Sequence, residues 1–117
     1  MSFLPFGDHE LGVPDSTTGA AMTLGLVARA NEAAAFLKAL SHEGRLAILC
    51  HLAMEERTVT ELERLLGARQ AAVSQQLARL RLESLVSTRR DGKAIYYSIH
   101  DPKVLKTIQL LQTLYPV

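Results

Sequence analysis

The stretch Thr58-Val59-Thr60-Glu61-Leu62-Glu63-Arg64-Leu65-Leu66-Gly67, with the run Gln70-Ala71-Ala72-Val73-Ser74-Gln75-Gln76-Leu77-Ala78-Arg79-Leu80 close behind it, decides the fold. In the first run Val59, Leu62, Leu65 and Leu66 recur at helical spacing, and Gly67 supplies the stop that a helix C-terminus favours. In the second, Val73, Leu77 and Leu80 form an inner stripe while Gln70, Ala71, Ser74 and Gln75 point outward. Two short helices joined by a tight turn, the second presenting small polar side chains, fit a helix-turn-helix of the kind that enters a DNA groove. Immediately downstream, Leu85–Arg90 and Lys93–Ile99 are β-prone runs joined by Asp91-Gly92, which predicts a hairpin. A basic hairpin placed directly after such a helix pair reads as a wing.

Working outward, Thr23–Leu40 is expected to be one alanine-rich helix with Leu26, Ala30, Ala33, Leu37 and Leu40 on one side. Ser41 is the expected cap of the next helix, with Glu43 in its first turn and Leu46, Leu49, Cys50 and Ala53 as its buried face. Asp101-Pro102 opens a last helix, cap followed by proline, striped by Val104, Ile108, Leu111 and Tyr115 and widened by Leu105 and Leu114. Residues 1–19 hold prolines, glycines and three acids without a basic residue, and read as a flexible tail in which Phe3, Leu4 and Phe6 have no assigned role. The expected architecture is mainly α with a small β-hairpin: a winged helix-turn-helix in the order α-α-α-α-β-β-α. Residues 20–117 form its DNA-binding and dimerisation domain. The terminal helices carry more apolar surface than one small domain needs, which predicts a homodimer.

The chain has 117 residues, enough for one domain, and its net charge is only +1. The distribution is less even. Residues 1–68 carry five Lys/Arg against nine Asp/Glu, whereas residues 69–117 carry eight against three. The positive half is the half holding the second helix and the wing, where DNA phosphates would lie. No apolar run reaches the roughly 20 residues of a membrane span, and no secretory signal opens the chain. A single cysteine excludes an internal disulfide, and a cytoplasmic location is expected.

From Ala39 to Ser98 the residues carry a closer likeness. Leu40-Ser41-His42-Glu43-Gly44-Arg45-Leu46-Ala47-Ile48-Leu49, Leu62 to Gly67, Ser74-Gln75-Gln76-Leu77-Ala78-Arg79-Leu80-Arg81, Leu85 to Lys93 and Ile95-Tyr96-Tyr97-Ser98 together resemble the ArsR family of winged-helix transcriptional repressors, in its metal-independent branch. The resemblance implies a dimer that binds an inverted repeat in a promoter. Two departures stand out. Arg69-Gln70-Ala71 replaces the family's Ser-Gln-Ser, exchanging a serine cap for a positive charge at a cost of about 1 kcal/mol of helix stability. Gln76 replaces the histidine of Ser-Gln-His.

Gln70, Ser74 and Gln75 are placed to meet base edges, since glutamine pairs bidentately with adenine and serine serves either role. Arg69, Ala71, Gln76 and Arg79 complete the expected contacts of the second helix. Arg89, Arg90 and Lys93 surround the wing tip, where guanidinium suits phosphate or a narrow minor groove. Alternation along the hairpin sends Tyr96 and Tyr97 to opposite faces.

No cofactor and no metal are expected, because the last helix lacks His, Cys and Glu and the remaining histidines have no metal spacing. Within the resemblance, the thiol-sensing branch has a cysteine where Cys50 stands, but its partner position falls at Pro116. Cys50 is therefore open to three readings: an inert buried residue, a one-cysteine redox or reactive-sulfur sensor, or an intermolecular partner. Two other classes compete with a DNA-binding regulator. A protein-binding winged helix would expose Leu, Phe or Ile where this chain has Gln, Ser, Arg and Lys. An enzyme would need an acid pair, a triad or a phosphate-binding glycine loop, and none is legible.

Overall fold

The computed structural model describes residues 16–117, six helices and one hairpin in the order α1 (Ser16–Ala28), α2 (Ala30–Leu40), α3 (Glu43–Met54), α4 (Val59–Leu66), α5 (Gln70–Leu82), β1 (Val86–Asp91), β2 (Ala94–Ile99) and α6 (Pro102–Leu114). This is the winged helix-turn-helix, with the first expected helix divided in two. The ladder tightens at Arg29, whose N–H bonds to the Leu26 carbonyl three residues back at 3.0 Å. Helix also begins earlier than expected, at Ser16 rather than near Thr23, so only the tail up to residue 15 lies outside the described residues, Phe3, Leu4 and Phe6 with it. The chain divides into two compact units, one up to Ala35 and the other Phe36–Val117. In the first, Met22, Leu24, Leu26 and Val27 of α1 are exposed.

The second unit closes on a single apolar core. Ala39 and Leu40 of α2, Ile48, Leu49 and Leu52 of α3, Leu62 of α4, and Val73, Leu77 and Leu80 of α5 meet Leu85 just before the hairpin, Val86 at the start of β1, and Val104 and Ile108 of α6. Leu62 and Leu77 are fully buried, and truncating either to alanine would cost about 2–5 kcal/mol. The stripe expected for α5 is the observed one. In α4, Leu62 is buried, Val59 and Leu66 pack against the core, and Leu65 is exposed. In α6, Val104 and Ile108 are buried and Leu111 half-buried, whereas Leu105, Leu114 and Tyr115 are exposed.

The buried face of α3 differs from the expected one. It consists of Ile48, Leu49 and Leu52, while Leu46 and Ala53 are half-buried and Cys50 is exposed. Residues 46–50 are apolar throughout, so an apolar stripe can be drawn through 48/49/52 as well as through 46/49/50/53. The two stripes differ by about 100° of rotation. What selects the first is Arg45, whose guanidinium is drawn to the carbonyls of Ala39 and Lys38 at 2.6 and 3.3 Å.

Local chemistry sets the element ends. α3 is capped by His42 and not Ser41: the His42 Nδ1 accepts from the N–H groups of Gly44 (3.0 Å) and Arg45 (3.4 Å), while Ser41 Oγ donates back to the Lys38 carbonyl. Thr58 and Glu61 form a reciprocal capping box at the start of α4. Asp101 caps α6 by accepting from the Lys103 N–H at 2.9 Å, with Pro102 in the first turn. α5 ends in a Schellman arrangement, Leu85 N–H to Leu80 carbonyl and Ser84 N–H to Arg81 carbonyl, both 3.0 Å. The left-handed position this needs is filled by Ser84 at φ +60°.

β1 and β2 pair antiparallel from Val86↔Ile99 to Asp91↔Ala94, so the two-residue loop is Gly92-Lys93, one position later than Asp91-Gly92. Gly92, at φ +64°, takes the first loop position, where a hairpin turn of type II′ needs glycine. Beyond β2 the chain at Arg57 adds a short third rung, exchanging both backbone bonds with Tyr97 at 3.0 and 2.8 Å.

Candidate nucleic-acid interface

The turn between α4 and α5 is built on Gly67, at φ 62° and ψ 34°, whose N–H bonds back to the Glu63 carbonyl. Ala68 and Arg69 then lead into α5. With Val73, Leu77 and Leu80 locked in the core, the helical repeat leaves Gln70, Ala71, Ser74 and Gln75 exposed on the outer side near the N-terminus. Arg69 stands at the N-cap position without a side-chain cap bond, and the first turn of α5 contains no acid. The amide-rich, positive end of this helix therefore has no acidic side chain of its own first turn to offset it.

Gln76 lies differently from its neighbours. It is half-buried, and its Oε1 accepts from Arg45 Nη1 at 3.0 Å while its Nε2 stands 3.5 Å from His42 Nε2. It ties α5 to the start of α3. Arg79 is half-buried and paired with Glu83 one turn on, Nε to Oε2 3.4 Å. Arg81 is exposed and free of intramolecular partners among the described residues.

The wing separates its two arginines. Val86, Thr88 and Arg90 share the face that carries Tyr97 and Ile99 toward the core, while Ser87, Arg89 and Asp91 share the opposite, outer face with Tyr96 and Ser98. Tyr97 packs against the core, in keeping with the alternation that sends the two tyrosines to opposite faces. On the outer face the Arg89 guanidinium lies over the Tyr96 ring, 4.6 Å from its centroid. It reaches the Glu56 carboxylate on the α3–α4 connection: Nε donates to Oε1 and Oε2 at 3.1 and 2.9 Å, and Nη2 also donates to Oε1. This pairing holds the Glu56 carboxyl below the usual glutamate range and raises Arg89. Arg90 and Lys93 are exposed and make no intramolecular polar contact among the described residues.

Sequence reasoning missed Glu56, because the third rung that brings it beside the wing joins residues forty positions apart. The capping box Thr58-Val59-Thr60-Glu61 was the signal that an extended residue precedes α4. It also missed Arg45 and His42, whose roles depend on the rotation of α3. Cys50 is on the surface of the chain and not in the core, and partial burial of its thiol pushes its pKa up. Among the described residues no three His, Cys, Asp or Glu side chains gather into a metal-binding group, and no helix is long and apolar enough to cross a membrane.

Known proteins resemble this chain in sequence and fold. Residues 42–88 match the model of a family described as bacterial regulatory protein, arsR family. The biofilm growth-associated repressor of Agrobacterium fabrum is 42% identical over 87 residues, covering 74% of each chain. Nodulation protein NolR of Rhizobium meliloti is 46% identical over 83 residues, 71% of this chain and 68% of that protein. The crystal structure of the transcriptional repressor BigR from Xylella fastidiosa superposes with a TM-score of 0.78 at 39% identity, over 81% of this chain and 97% of that one. Fold and sequence agree, and the chain belongs to the ArsR family of winged helix-turn-helix transcriptional regulators.

Proposed function

We propose that the protein is a dimeric, sequence-specific repressor that binds an inverted repeat in promoter DNA through α5 and the hairpin, with residues 20–117 serving both DNA binding and dimerisation. The observation that carries this reading is the exposed N-terminal face of α5, where Arg69, Gln70, Ala71, Ser74 and Gln75 stand free of intramolecular side-chain partners among the described residues. Glutamine and serine there offer the donor and acceptor pairs that base edges require. Arg90 and Lys93 supply unpaired charge for phosphates on either side. The biofilm growth-associated repressor of Agrobacterium fabrum and the transcriptional repressor BigR, among the relatives, support the regulatory direction.

Dimerisation is supported by apolar side chains on both terminal helices, Met22, Leu24, Leu26 and Val27 on α1 and Leu105, Leu110 and Leu114 on α6. Two α5 helices related by a two-fold axis would enter successive major grooves roughly 10 base pairs apart. Footprinting on the DNA flanking the gene, with sedimentation to fix the mass, tests the reading. An imperfect palindrome protected on one face by a dimer is the expected result. Leu110→Glu with Leu114→Glu, both on exposed positions, should give folded monomers with little specific affinity. A monomer that grips one half-site as tightly as the parent would refute the two-fold reading.

A further inference from the structure

On the outer face of the wing, Arg89 crosses the Tyr96 ring and delivers its Nε edge to both oxygens of Glu56. The same two-pronged edge is what a guanidinium offers to a phosphate. Asp91 Oδ2 stands 3.9 Å from Nη1, so a second carboxylate flanks the remaining donors. Yet the pair is not sealed: the Arg89 side chain is 52% and the Glu56 side chain 35% exposed. An exposed ion pair of this kind is weak enough to exchange partners.

We propose that Glu56 is an internal competitor of DNA phosphate for Arg89, a built-in counter-ion that must be displaced before the outer face of the wing can grip the backbone. The inference rests on the DNA-binding reading above. It divides the wing into a free part, Arg90 and Lys93, and a held part, Arg89. A wing of this design has a lower affinity for arbitrary DNA than its arginine content suggests. Only a duplex already docked by α5 presents a phosphate persistently enough to replace the carboxylate.

The test compares the full chain with Glu56→Gln, Glu55→Gln and the double variant Glu56→Gln/Arg89→Ala, titrating each against one random-sequence duplex at several salt concentrations. Glu55 is the charge-matched control, since its carboxylate pairs with Arg57 at 3.2 Å and not with the wing. Glu56→Gln should tighten binding by roughly two- to fivefold per protomer and steepen the salt dependence by about one ion per protomer. Glu55→Gln should gain clearly less, and Arg89→Ala should cancel the gain. In nitrogen-15 spectra the Arg89 Nε resonance should move in the same direction on Glu56→Gln substitution and on addition of DNA. Binding by Glu56→Gln no tighter than the parent, an equal gain in Glu55→Gln, or a gain that survives Arg89→Ala would each overturn the proposal. Absence of any duplex binding by the parent chain at low salt would instead refute the DNA-binding reading itself, and this inference with it.

Discussion

Replacing Gln76 and Gln75 separately by alanine should separate scaffolding from reading on one helix. Gln76 Oε1 accepts a charge-assisted bond from Arg45 Nη1 at 3.0 Å, in a half-buried position. Bonds to charged groups contribute about 1.5–3 kcal/mol when buried. Arg45 keeps its acceptors at Ala39 and Lys38 after the change, and water can reach the vacated position, so a loss of about 1 kcal/mol is expected. For a unit of this size that lowers the melting temperature by about 4–8 °C. Gln75 is exposed and bonded to nothing among the described residues, so Gln75→Ala should change stability by less than about 0.5 kcal/mol. It should instead relax preference at one base pair per half-site by about 1–3 kcal/mol. Urea melts at one fixed protein concentration measure the first quantity, and competition binding on single-base operator variants measures the second. A Gln76→Ala variant that melts like the parent while losing base preference, or a Gln75→Ala variant that is the destabilised one, would refute these two roles.

Ser84 holds a left-handed position that glycine fills without strain, so Ser84→Gly should stabilise the chain by about 1 kcal/mol, read as a higher urea midpoint at unchanged slope. Arg89 lowers the Glu56 pKa, so their pairing contributes stability above the usual glutamate range and loses it as pH falls through the lowered value; a carboxyl titration by NMR should place Glu56 below that range in the parent and within it in Arg89→Ala. Cys50 should alkylate in the folded protein without denaturant but slowly at neutral pH, because its thiol is accessible yet pushed up by partial burial, and Cys50→Ser should leave DNA affinity unchanged. Complete protection of Cys50 until unfolding would contradict the exposed placement.

What was legible in the chain follows from how strongly local chemistry constrains it. Val73, Leu77 and Leu80 stand out because their neighbours Gln70, Ser74 and Gln75 are polar, so only one rotation of α5 buries an apolar stripe. In α3 Leu49 is flanked by apolar residues on both sides, Leu46 to Ile48 and Cys50, and the rotation is decided by Arg45 reaching carbonyls on α2, a tertiary effect no pattern along the helix displays. The hairpin was recognisable from Asp91-Gly92, but its register was shifted by one because type II′ geometry asks for glycine first in the loop. The helical end of α5 gave no glycine to mark it, since Ser84 occupies the place. Among the site residues, exposure of Gln70 and Gln75 follows from periodicity alone. The inward turn of Gln76 and the capture of Arg89 by Glu56 depend on partners that stand 31 and 33 residues away.

The opposed placement of Arg89 and Arg90 on the hairpin has a bearing on how such a wing can change. A strand that slips by one residue exchanges its faces, and adjacent arginines would then trade places. Positive charge would still project from both sides, so attraction toward a polyanion survives the error. The clasp with Glu56 would be disturbed, because it depends on which arginine lies over Tyr96. Length changes near the tip should therefore follow parity: paired insertions, one residue in each strand on either side of the loop, leave the arginines below them as they are. A single residue removed between Val86 and Arg89 would set Arg90 opposite Tyr96 in the clasp and turn Arg89 to the inner face, retuning grip without altering net charge.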